Sequence, residues 1–141
     1  MQMSTIPNEF SKYFNNLTAT HPICDALGTT LNEGSNLFIY TEPVEATMCV
    51  TIIPYGGAPP EPDNYKYETG VQVRLKANSR KRAIETMQAI IHDLHGNGSV
   101  CASTNGKVMA NQSSPIIFEI QEGGERIITI ANFRVKHIKL A

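Results

Sequence analysis

The stretch "GVQVRLKANSRKRAIETMQAIIHDLHG" (residues 70–96) decides the fold, because its hydrophobic period changes once along its length, from two to about 3.6. Val71, Val73 and Leu75 alternate with Gln72, Arg74 and Lys76, which predicts a strand with one buried and one wet face. Asn78 or Ser79 can then cap a helix. Ala83, Ile84, Met87, Ile90, Ile91 and Leu94 form its apolar stripe, and Gly96 ends it. A helix with such a stripe must lie on the sheet that the strand helps to build.

Toward the N-terminus, Phe10, Tyr13, Phe14 and Leu17 fall at helical spacing after Pro7, so residues 8–17 (NEFSKYFNNL) read as a short amphipathic helix. One more helical turn is expected near Ile23 to Leu27. Residues 37–40 and 47–53 read as two strands, with Met48, Val50 and Ile52 on one face of the second and Pro43 between them. Beyond the main helix come a strand or loop around Val100 to Ala102 and a passage rich in Gly, Asn and Ser up to Pro115. The terminal segment "PIIFEIQEGGERIITIANFRVKHIKL" (residues 115–140) reads as a long hairpin. Ile116, Phe118 and Ile120 share a face, and Gly123-Gly124 can form a two-residue turn flanked by Glu122 and Glu125. On the return strand the apolar positions are even (Ile128, Ile130), then odd (Phe133, Val135), then even again (Ile138, Leu140). Each change predicts a bulge or a bend. No internal repeat appears. The expectation is one α+β domain over residues 1–141, a mainly antiparallel β-sheet covered by two α-helices, with a projecting C-terminal β-hairpin.

A chain of 141 residues is long enough to bury a real core. With 12 basic and 13 acidic residues the formal net charge is −1, so no global field draws it to nucleic acid or an anionic membrane. MQMSTIPNEF lacks the basic start and apolar run of a signal peptide, and no stretch approaches the roughly 20 apolar residues that span a bilayer. Folding in the cytoplasm is expected. Cys24, Cys49 and Cys101 are odd in number, far apart and never in a CxxC, which fits reduced, mostly buried thiols.

Little in the chain points to chemistry. His92 and His95 with Asp93 between them could offer metal ligands on one helical face, but no third ligand is evident, and histidines in a last turn are favoured anyway by the helix dipole. No nucleophile has an adjacent base by spacing, and Gly56-Gly57 lacks the pattern of a phosphate-cradling loop. An enzyme is not expected, and neither is a cofactor or a metal.

Two features fit protein contact better. Arg80, Lys81 and Arg82 crowd the first turn of the main helix, where each positive charge costs roughly 0.3–1 kcal/mol. They are either solvated side chains or the mates of an acidic patch on a neighbouring subunit. Glu122 and Glu125 at the hairpin tip supply the complementary sign, and Arg126 beside them joins the interface candidates. Tyr55, Tyr65 and Tyr67 accompany the proline-stiffened "APPEP" of residues 58–62. Tyrosine buries area at low entropy cost, so this loop reads as an interface, or else as a loop folded back on its own sheet.

The order of "NLFIYTEP" (36–43), "YGGAPPEPDNYKYETGVQVRLKA" (55–77), "IIHDLHG" (90–96) and "SSPIIFEIQEGGERIITIANFRVKHI" (113–138) resembles the minor capsid or tail terminator proteins of long-tailed bacteriophages. The resemblance covers residues 36 to 140. Its most specific parts are Tyr55-Gly56-Gly57 with Pro59-Pro60, the strand Val71 to Arg74, the "LHG" helix end and Asn132-Phe133-Arg134-Val135. Where relatives carry a longer glycine- and acid-containing turn before the last strand, this chain has the compact "QEGGE". The resemblance implies a non-catalytic virion protein at the neck. Such a subunit would close into a homo-oligomeric, hexameric ring on the last ring of the major tail tube protein, stop its polymerisation and meet the head-side connector. Genome DNA would pass through the lumen without specific binding, and no membrane is involved. A head-side stopper or adaptor is the nearest alternative. A nucleic-acid-binding module using Arg80 to Arg82 stands further off.

Overall fold

The structure is a computed structural model that describes residues 5–43, 48–58, 66–120 and 126–138. Thr5 caps α1 (Ile6–Asn15), its hydroxyl accepting from the Asn8 amide at 3.3 Å, and Pro7 occupies the first turn, where its missing N–H is no loss. Helix α2 (Pro22–Leu27) ends at Gly28, whose φ of 85° gives a left-handed cap. Strands β1 (Leu37–Ile39), β2 (Cys49–Ala58) and β3 (Lys66–Ala77) lead to α3 (Arg80–Leu94), which Ser79 caps by accepting from the Arg82 amide at 3.1 Å. A 3-10 turn (Ala102–Thr104), β4 (Lys107–Ala110), β5 (Ile116–Ile120) and β6 (Arg126–Ile138) complete the order.

The six strands form one sheet in the order β1-β2-β3-β6, with β4 and β5 sharing the far edge of β6. Every pairing is antiparallel except β1 with β2. The helices cover one face. Val50 and Ile52 of β2, Val71, Val73 and Leu75 of β3, and Ala131, Phe133 and Val135 of β6 are buried there against Phe10 and Phe14 of α1 and Ala83, Met87, Ile90 and Leu94 of α3. Phe10 meets Phe133 edge to face at 6.1 Å and 61°. Cys24, Cys49 and Cys101 are buried free thiols, and burial raises the pKa of each.

The α+β class agrees with the sequence, and four local expectations change. First, residues 103–115 contain a strand. The segment KVMA is β4, held at one end by the Gly96 amide, which donates to Val108 O at 2.8 Å. Second, β6 carries no bulge against β3, since its register with β3 runs unbroken from Lys66↔Ile138 to Ala77↔Ile127. The first change of apolar parity, after Ile130, is a change of covered face, whereas Ile138, after the second, is 50% exposed. Near β5 both faces of β6 are buried, with Ile128 and Ile130 on one side and Thr129 and Ala131 on the other. Third, the polar face of β3 is not wet throughout. Lys76 is 4% exposed, because Glu42 lies against it and the Pro43 carbonyl accepts from its Nζ at 3.2 Å. Fourth, Tyr55 and Tyr67 belong to strands, because β2 and β3 extend into the segment that reads as a loop. The Gly123-Gly124 turn and the Pro59-Pro60 segment lie outside the described residues.

Phe133 is fully buried at the centre of this packing, whereas Phe118 on β5 is 53% exposed. Phe133→Ala is therefore expected to cost about 3–5 kcal/mol of unfolding free energy, and Phe118→Ala under about 1 kcal/mol. Urea titrations of both variants give the comparison. Equal losses would contradict the packing of α1 on β6.

Candidate protein-contact site

Tyr55 stands where the β2–β3 pairing shifts register, at a bulge made by Gly56 with a φ of 28°. Its ring lies over Gly70. A Cβ on Gly70 would come within 2.2 Å of the Tyr55 carbonyl oxygen and 3.0 Å of its ring, so this site in β3 has room only for glycine. The Tyr55 hydroxyl accepts from Asn111 Nδ2 at 2.9 Å, and Asn111 Oδ1 accepts from Arg134 Nε at 2.9 Å. Arg134 Nη1 lies 3.8 Å from Glu68 Oε1. Burial raises the Tyr55 pKa, and the Asn111 bond opposes that shift. The result is a tyrosine held in one orientation by these contacts, with 37% of its surface still exposed.

Tyr67 projects from the opposite face of the same hairpin. Its ring stacks on His137, with centroids 5.9 Å apart and planes at 22°. The His137 ring is itself fixed. Nδ1 lies 2.7 Å from the Ile138 carbonyl and donates to it, which leaves Nε2 to accept from the Thr69 hydroxyl at 2.7 Å. The two tyrosines thus mark one end of the sheet without forming a single patch. Tyr65, Glu122 and Glu125 lie outside the described residues.

The basic candidates gather at the other end. Arg80 and Lys81 are exposed on the first turn of α3, and Arg126 opens β6 opposite Ile120, one residue before the Ile127↔Ala77 pair that leads into α3. Arg82 is half-buried and points back. A Cβ on Gly28 would lie 3.5 Å from its Nη2, so its guanidinium covers the C-terminus of α2, where a positive charge is favourable. Along β3, Tyr67 stands ten residues from Ala77 and Tyr55, opposite Gly70, seven, which puts the tyrosines roughly 20–35 Å from the cation end at about 3.3 Å per residue.

The family described as "Bacteriophage tail terminator protein" matches residues 6–136. The chain belongs to this family. No curated protein matches it. The match runs from the first residue of α1 to within two residues of the end of β6, so it takes in every element that positions the site. A terminator of this family is a structural component of the phage virion. No helix among the described residues is long and apolar enough to cross a membrane.

In this terminator the histidine-bearing end of α3 is occupied by other contacts. Asp93 Oδ1 takes His21 Nε2 at 3.2 Å and its Oδ2 accepts from the Tyr13 hydroxyl, which ties all three helices together. His21 Nδ1 accepts from the Ile23 amide at 3.2 Å. Asn97 Nδ2 reaches both the Tyr13 oxygen and the Asp93 carbonyl at 3.1 Å. His95 Nδ1 accepts from the Ala110 amide at 3.0 Å and so anchors the end of β4, while His92 is exposed. Among the described residues, no group of three or more His, Cys, Asp and Glu side chains could hold a metal ion.

Sequence reasoning missed Asn111 and Arg134, which orient Tyr55, and the exposed run Ile116, Ile117 and Phe118. Ile117 was the available signal. An apolar residue out of phase with Ile116 and Phe118 requires either cover on both faces or exposure on one.

Two stability measurements test these contacts. His95→Asn should cost about 1 kcal/mol through the lost Ala110 bond, whereas His92→Asn should stay within about 0.5 kcal/mol. The Tyr13 pKa is raised from 10.0 to about 12, by burial first and then by the Asp93 bond and charge. The unfolded chain releases this proton at the lower pH. The contribution is therefore full below pH 10 and declines as pH rises toward 12. Urea midpoints of the wild type should fall across that window more steeply than those of Tyr13→Phe. Parallel curves would contradict the Tyr13–Asp93 contact.

Proposed function

We propose that this subunit closes with its copies into a ring, hexameric as in the neck assemblies its sequence resembles, that caps the last ring of the tail tube. The cap stops tube polymerisation and offers a surface to the head-side connector. One observation carries the reading: the contact candidates stand at opposite ends of a single long sheet, the tyrosines at one and the cations at the other. A subunit that joins a tube to a connector needs two unlike docking ends held at a fixed separation, and a continuous strand pairing supplies that. In a closed ring the same two patches repeat about the rotation axis. The ring needs no catalytic group. With net charge −1 and few clustered cations, the lumen would pass DNA without gripping it.

Replacing residues 59–65 by a two-residue turn, or reversing Arg80 and Lys81 to Glu, should leave a soluble monomer within about 1 kcal/mol of wild-type stability. Phage carrying either change should produce overgrown tails in electron micrographs. Normal-length tails on heads would refute the assignment of these ends. Normal-length tails that fail only to join would move the subunit to the head side of the junction.

A further inference from the structure

We propose that Lys107, Arg134 and Lys136, beside Tyr55, form a docking patch for the acidic surface of a different protein, one that presents carboxylates roughly 5–7 Å apart, the spacing of same-face neighbours in a sheet. This rests on the reading of the tyrosine end as a docking end and names what that end takes. The strand pairing assembles the patch. Lys136 of β6 lies directly opposite Lys107 of β4, and Arg134 opposite Met109, all on the face away from the helices, since the alternate residues Val108 and Val135 are buried in the core. Both lysines and Arg134 are exposed. Like charges directly opposite on neighbouring strands repel. The carboxylate that the sheet places beside Lys136 is that of Glu68, and it pairs with Arg134, 3.8 Å from Nη1. Among the described residues neither lysine has an ion-pair partner. Three cations against one carboxylate leave two positive charges uncompensated, and an anionic partner would relieve their repulsion.

The patch also holds oriented donors. Asn111 accepts from Arg134 Nε and donates to the Tyr55 hydroxyl oxygen, both at 2.9 Å, so one carboxamide positions the guanidinium and the phenol together. Arg134 Nη2 and the Tyr55 O–H have no acceptor of their own among the described residues. A carboxylate, acceptor-only and two-oxygened, matches such a pair of donors. Nucleic acid fits less well, because Glu68 stands within the patch and three cations neutralise few phosphates. A second copy stacked end to end also fits less well. Arg80 and Lys81 are exposed at the far end of the sheet, so that contact would set like charges against each other.

The test uses the full chain and two short capped peptides, one alternating aspartate with threonine and the other asparagine with threonine. In amide NMR titrations at low salt the aspartate peptide should shift residues 107–111 and 134–136 and bind about tenfold more tightly than the asparagine peptide. Lys107→Gln combined with Lys136→Gln should remove that preference. The same double variant should melt at a higher temperature than the wild type in low salt, and the gain should vanish in high salt, where screening hides the repulsion. Arg80→Gln combined with Lys81→Gln should leave the preference intact. Absence of binding, equal affinity of the two peptides, shifts confined to another surface, or a lysine double variant that keeps the preference would overturn the proposal. A short DNA duplex that shifts the same residues at lower concentration would overturn it in favour of nucleic acid. A wild-type oligomer in sedimentation that the lysine double variant dissolves would overturn it in favour of a second copy. The titration uses isolated subunits, so its failure is separable from failure of the tyrosine end as a docking end, which the micrographs of phage with residues 59–65 replaced report.

Discussion

The unbroken antiparallel pairing of β3 with β6, from Lys66↔Ile138 to Ala77↔Ile127, sets the position of every other element. Val71, Val73 and Leu75 lie opposite Phe133, Ala131 and Thr129, and this continuous apolar floor is what α1 and α3 bury. β2 extends the sheet on one side, and β4 with β5 divides the edge on the other. Cross-strand neighbours are the unit of sheet stabilisation, so a pairing of this length holds its two ends in fixed relation. Groups at the two ends therefore cannot move independently.

The two faces of the sheet have divided roles. The helical face is dry and carries the stability of the domain, with the Asp93, Tyr13 and His21 contacts locking the three helices to one another. The other face is apolar beside β5, where Ile116, Phe118 and Ile130 stand, and elsewhere polar and bonded across strands. Gln72 donates to Asn132 at 3.1 Å, the Asn132 amide donates to Gln112 at 3.0 Å, and Asn111 links Tyr55 to Arg134. Such side-chain ladders orient surface groups before contact, which lowers the ordering cost of assembly. For a tail terminator, a family of structural virion proteins, the chemistry of interest is recognition, and recognition favours side chains already in place.

Thr129 shows how closely the two layers are joined. It sits in β6 opposite Leu75, and its hydroxyl donates to the Ala83 carbonyl of α3 at 3.3 Å, a polar contact between helix and sheet inside an otherwise apolar layer. Glu9 is a second case, buried on α1 with an oxygen accepting from the Thr104 hydroxyl at 2.8 Å. Thr129 and Glu9 each have a specific mate, and such pairs favour one arrangement of helices on the sheet over its neighbours.

The strand at Val71 to Lys76, the helix stripe from Ala83 to Leu94, the aromatic stripe of α1 and the terminal hairpin were all legible in the sequence, because a strand or helix periodicity is a property of consecutive residues. The family resemblance was legible for the same reason, in short ordered motifs. Other features were decided only by tertiary structure. β4 is too short to announce itself and exists through its pairing with β6 and its bonds to the end of α3. Lys76 reads as wet until Glu42 and Pro43 cross the sheet to bury it. Asp93 reads as a metal neighbour until His21 and Tyr13 take its oxygens. The parity change after Ile130 reads as a bulge until the fold buries Ile128 and Ile130 on the face away from the helices, with β5 paired beside them. In each case the deciding partner is distant along the chain, and one residue's local pattern carries no record of which remote group will cover it.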